Sequence, residues 1–137
     1  MSALITYRYN PQIEPPGPLV NVVVRSPEDK EVFLSSPALV DAGADYSVIT
    51  PKIFEELAPY RVDEIYIESY IGDGDTHRRY SVNIEIHHWI FRQVPVIVGD
   101  DDYVILGRDI LNHFDLRLNG IDGKLEFLRG PQVQVVF

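Results

Sequence analysis

From Leu19 to Arg25 the chain reads Leu-Val-Asn-Val-Val-Val-Arg, a β-branched run of strand length. Ser26-Pro27-Glu28-Asp29 is a turn signal, and Glu31 to Leu34 returns as the second strand of a hairpin. Ser36-Pro37 interrupts that strand, and Ala38-Leu39-Val40 follows as a short apolar strand running into Asp41. Thr50 and Pro51 open a helix that reaches Leu57. Thr is a good N-cap, Pro suits the first helical position, acids lie in the first turns, and the helix stops before Pro59. Ile65 to Ile71 alternates as a strand and leads into the loop Gly72-Asp73-Gly74-Asp75. Tyr80 to Ile86 returns from it with Tyr80, Val82, Ile84 and Ile86 on one face, so the pair predicts a β-hairpin with a glycine-containing tip.

Beyond this hairpin, Ile90 to Val98 predicts a strand broken by Pro95, and Val104-Ile105-Leu106 a buried strand ending at Gly107. Arg108 to Phe114 suits a short helix, and Leu116–Leu118, Leu125–Phe127 and Val133–Phe137 read as strands. The pattern is all-β with two short helices and many turns. Pro11, Pro15, Pro16 and Pro18 make the first eighteen residues an extended arm, leaving residues 19–137 as one domain. Val40-Asp41-Ala42-Gly43 and Ile105-Leu106-Gly107-Arg108 share an outline: an apolar strand, a glycine turn, then a short helix. Two such units imply a pseudo-symmetric bilobal domain.

Charge narrows the partners. Twelve Lys and Arg are scattered among twenty-one acids for a net charge of −9, which disfavours a nucleic-acid partner. No apolar run approaches the roughly 20 residues that cross a bilayer, so no membrane partner is expected. The N-terminus lacks a secretory pattern and cysteine is absent, pointing to a cytoplasmic protein without disulfides, thiolate metal sites or a Cys nucleophile. Asp73-Gly74-Asp75 and Asp100-Asp101-Asp102 lack the spacing of a calcium loop and read as solvated turns. His87 and His88 adjoin in a strand and would point to opposite faces, so neither a metal nor another cofactor is expected. Ser47 and Ser81 lie outside any nucleophile-elbow pattern, and Trp89 and Phe91 read as core or interface residues.

Asp41-Ala42-Gly43-Ala44-Asp45, after Ala-Leu-Val and before Tyr-Ser-Val-Ile, resembles the Asp-Thr-Gly-Ala-Asp signature of retroviral-type aspartic proteases. Ile105-Leu106-Gly107-Arg108-Asp109-Ile110-Leu111 resembles that family's second signature, and the hairpin between them stands where its flap belongs. The resemblance spans roughly Leu19 to Leu128 and implies a retropepsin-like closed acid-protease barrel, homodimeric, acting on a peptide or protein substrate. Asp41 is then the catalytic residue, with Ala42, Gly43 and Ala44 as its loop and Ile105, Leu106 and Gly107 as the second signature. Tyr70, Ile71, Gly72, Asp73, Gly74 and Asp75 form the substrate-binding flap, and Asp45 with Arg108 a structural ion pair bracing the subunit interface.

The chemistry fits one carboxylate per chain. Two carboxyls about 3 Å apart cannot both ionise and share a proton, a behaviour known from aspartic proteases themselves. The sequence offers one Asp-x-Gly behind an apolar strand, so the second carboxyl comes from another subunit across a two-fold axis. The departure is Ala42, where the family carries Thr or Ser whose hydroxyl bonds across that axis. Alanine makes no such bond, at a cost on the order of 1 kcal/mol per bond. Three explanations stand: a natural variant compensated elsewhere, an inactive relative keeping the fold as a dimerisation or peptide-binding module, or a deliberate replacement.

Overall fold

The β-branched run folds as β2 (Leu19–Arg25), with Val20, Val22 and Val24 turned inward and at most 2% exposed. A computed structural model, describing residues 3–68 and 71–137, sets the other elements around it. In chain order they are β1 (Ile5–Arg8), β3 (Phe33–Val40), β4 (Val48–Ile49), α1 (Pro51–Leu57), β5 (Arg61–Ile67), β6 (Asp75–Ile86) and β7 (Trp89–Val98). β8 (Val104–Leu106), α2 (Arg108–Leu111), β9 (Asp115–Asn119), β10 (Lys124–Arg129) and β11 (Val135–Val136) complete the chain.

Six strands close into a barrel in the order β7-β4-β8-β3-β2-β6, because β6 pairs back onto β7. Closure leaves those strands no free edge. β5 extends the sheet beyond β6 and β11 extends it beyond β7. A second sheet, β1-β10-β9, shares the core through Phe127, whose ring lies 5.3 Å from Trp89 and 5.1 Å from Phe114. Val82, Ile84, Ile86, Phe91, Val94, Val96, Val104 and Leu106 are fully buried inside the barrel. Burying each such side chain stabilises the fold by about 1.5–3 kcal/mol, more than strand propensity supplies. Trp89 and Phe91 are therefore core residues.

Both prolines expected to break strands lie inside continuous ones. Pro37 pairs with Asn21 of β2 just before β8 begins to cover the other edge of β3, at Ala38. Pro95 pairs with Ser81, between the segments of β7 that take β11 at 91–92 and β4 at 97–98. In each case the missing N–H faces an edge that asks nothing of it. α1 matches its expected span, with Thr50 Oγ1 accepting from the Ile53 N–H at 3.1 Å. Glu55 and Glu56 come after its first turn, which carries no acid.

Other boundaries moved. β5 spans Arg61–Ile67 rather than 65–71, because its first half is specified by charge: Asp63 faces Arg79 across the hairpin, with bonds of 2.8 and 2.6 Å. α2 ends at Leu111, and the chain continues through four-residue turns (His113 N–H to Ile110 O, Phe114 N–H to Leu111 O) that swing Phe114 onto Trp89. Residues 5–8, within the expected arm, are strand β1. At the other end the strand is only Val135–Val136. His87 and His88 form the turn between β6 and β7, not part of a strand, and His87 takes φ = 53° there. That turn brings the two Nδ1 atoms within 2.7 Å, so the opposite-face expectation does not hold.

Candidate active site

β3 and β8 run parallel with Val40 opposite Leu106, so the residues that follow each strand emerge side by side. Asp41 extends the ladder by one bond, its N–H donating to Leu106 O at 3.0 Å. Its carboxylate then turns back over its own loop: Oδ1 accepts from the Gly43 N–H at 2.9 Å, while its carbonyl takes the Ala44 N–H at 3.1 Å. A Cβ at Gly43 would stand 3.2 Å from Asp41 Oδ1 and crowd that oxygen. Asp41 is half-buried, and among the described residues it has no ion pair and no hydrogen bond to Oδ2. One oxygen is thus fixed and the other free for proton chemistry.

The two signature segments are fastened by Ser47 and Asp109, to which the motif reading gave no role. Ser47 is fully buried; its Oγ donates to Asp109 Oδ1 at 2.7 Å and accepts the Gly107 N–H at 3.0 Å. Asp109 also receives the Ser47 N–H at 2.9 Å and the Ile110 N–H at 2.9 Å. Ser47 is therefore a buried clasp with a carboxylate partner, in a place no substrate reaches. Gly107 is required by close approach, since a Cβ there would lie 2.7 Å from the Tyr46 carbonyl group. Arg108 stands outside this clasp, with Nη1 donating to Ala42 O at 2.9 Å and Nη2 to Asp45 Oδ1. The expected Asp45–Arg108 pair is thus formed within one chain, and it lies largely open to solvent. Ile105 and Leu106 supply the strand behind these residues, Leu106 fully buried.

The hairpin of β5 and β6 arches beside the loop. Ile71, Gly72 and Asp73 are exposed at its tip, Gly72 taking φ = 85°, whereas Tyr70 lies outside the described residues. Gly74 lies against the Ile67 carbonyl, where a Cβ could not fit, and its N–H donates to Tyr66 Oη at 3.0 Å. Asp75 opens β6 opposite Ile67. Arg79 ties this hairpin to the loop: it chelates Asp63 and lies over the Tyr46 ring, 5.3 Å from its centroid. The hydrogen bond from Arg79 holds the Asp63 carboxyl below its ordinary range, and Asp63 in turn raises Arg79. A cleft of about 330 Å³ runs between Gly43–Tyr46 and Ile67–Glu68, floored by Val48 and Ile97.

A family model described as retroviral aspartyl protease matches residues 15–119. Among solved structures the chain is similar to the EIAV protease complexed with the inhibitor HBY-793. That likeness has 27% identity over 70% of this chain and 86% of the other, with a TM-score of 0.50. It is also similar in fold to a retropepsin-like aspartic protease from Rickettsia conorii, with 18% identity over 90% and 88% of the two chains and a TM-score of 0.61. No curated protein matches it.

Proposed function

Because the chain belongs to the retroviral aspartyl protease family, we propose that it is a homodimeric aspartic endopeptidase with one Asp41 from each subunit. The observation that carries this reading is the Asp41 carboxylate, anchored at Oδ1 by Gly43 and, among the described residues, unengaged at Oδ2, beside an apolar-floored cleft. Asp45 and Asp109, the other carboxylates of the two loops, are occupied by Arg108 and Ser47. A second copy is then the source of the missing carboxyl.

Two such carboxyls hold one proton between them. The ionised one takes a proton from a water whose oxygen bonds to the scissile carbonyl carbon. The protonated one gives its proton to the carbonyl oxygen. Collapse of the tetrahedral diol breaks the C–N bond and passes a proton to the departing amine. The flap residues Ile71 to Asp75 would hold an extended substrate by main-chain bonds while the cleft receives a side chain. Asp41→Asn should reduce cleavage of unstructured polypeptides to background between acid and neutral pH; cleavage at the parent rate would contradict the mechanism.

Ala42 favours a second reading, a non-catalytic dimerisation or peptide-binding module. Against it, Arg108 holds the Ala42 carbonyl within the same chain, fixing the loop without a side-chain hydroxyl. Ala42→Thr discriminates. We expect it to tighten the dimer about tenfold, from two added bonds of roughly 0.5–1 kcal/mol each, and to raise activity at low protein concentration. Tight dimers of both forms with no cleavage would establish the binding module.

A further inference from the structure

We propose that the second copy docks along the outer edge of β9, joining two three-stranded sheets into one of six strands, while β1 and β11 stay on their own subunit. The proposal rests on the reading that a second Asp41 completes the site.

The side chains of the β1-β10-β9 sheet sort by register. Ile5 and Tyr7 stand opposite Phe127 and Leu125, which stand opposite Leu116 and Leu118, so one face carries an apolar stripe across all three strands. The other face carries Thr6, Arg8, Lys124, Glu126, Arg117 and Asn119. The barrel covers the middle of the stripe completely, with Leu125 and Phe127 at 0% exposure. Cover runs out at β9, where Leu118 is 52% exposed. Beside it lies a groove of about 360 Å³ whose walls include Val40, Ala42, Leu111, Phe114 and Leu118.

That groove identifies its occupant. Ala42 follows Asp41 directly, so whatever brings a second Asp41 to the first must lie against the surface that Ala42 shares with Leu118. Among the described residues no strand pairs with the outer edge of β9. An edge strand can pair antiparallel with its own copy across a two-fold axis, an isologous contact that needs no second surface. The terminal strands β1 and β11 are already engaged. β1 is bonded to β10 throughout, with Leu4 N–H to Phe127 O at 2.8 Å and Tyr9 N–H to Gly123 O at 2.7 Å beyond it. β11 pairs with β7, and the Phe137 N–H donates to Arg92 O at 3.0 Å. An exchange of terminal strands would first have to break these ladders.

The chain contains no cysteine, so single cysteines report proximity without background. Arg117→Cys and Leu118→Cys place a thiol on β9, and Thr6→Cys places one on β1. Disulfides form only where Cα atoms come within roughly 7 Å. Under mild oxidation at least one β9 variant should become mostly covalent dimer on a non-reducing gel, and Thr6→Cys should stay monomeric there. Leu118→Asp should weaken the dimer at least tenfold in sedimentation with its circular dichroism unchanged. A dimer that cross-links at neither β9 position, whether or not Thr6→Cys links, overturns this interface alone. A parent chain that stays monomeric and nevertheless cleaves overturns the two-copy reading and the interface with it.

Discussion

A hydroxyl with no exposure cannot turn to water for its partners, and Ser47 finds both of its own in the second signature. Ser47→Ala would strand the Gly107 N–H and leave Asp109 Oδ1 with only the Ile110 N–H as its partner. We expect a loss of about 1–3 kcal/mol, read as a lower urea midpoint with unchanged slope, together with reduced activity. An unchanged midpoint would show that the clasp does not hold the loops. Motif matching singles out Asp41, Gly43, Gly107 and Arg108 because the chemistry of each suits the role the signature gives it. The joint role of Ser47 and Asp109 escapes it, although Asp109 lies inside the second signature, because that role lies in a meeting across 62 residues. The available signal was modest: a lone polar residue between Tyr46 and Val48, at the entrance to an apolar strand.

At the scale of elements, the two strands of the hairpin are held together by charge, through Asp63 on β5 and Arg79 on β6. Asp63 titrates below its ordinary range because Arg79 hydrogen-bonds its ionised form. A lowered folded pKa means that the pair's contribution is complete above the unfolded value, about 3.9. It is lost as the pH falls through the lower folded value. Asp63→Asn should therefore be less stable than the parent at neutral pH, and the gap in urea midpoint should close in strong acid. A gap constant across that range would contradict the assignment. The same pair explains the span of β5: hydrophobic alternation points to 65–71, whereas the ladder follows the cross-strand ion pair back to Arg61. Pro37 and Pro95 misled for the converse reason, since which edge of a strand is covered is decided by distant segments. The spans of β2, β8 and α1 were legible because propensity, capping and burial agree in each.

At the scale of the molecule, a closed all-β barrel with two short helices could be read from the strand pattern and the two signatures together. The β1-β10-β9 sheet could not, because a proline-rich segment looks like a free arm until its first strand is seen on β10. That sheet and the Asp41 carboxylate both support the proposal of a second copy across a two-fold axis. Mixing the parent chain with Asp41→Asn tests this most directly, with total protein held constant and subunits allowed to exchange. If each site needs two Asp41 carboxyls, activity falls as the square of the parent fraction, to about a quarter in an equal mixture. A linear fall, to about half, would mean that each chain cleaves with its own Asp41 alone, and would contradict the account.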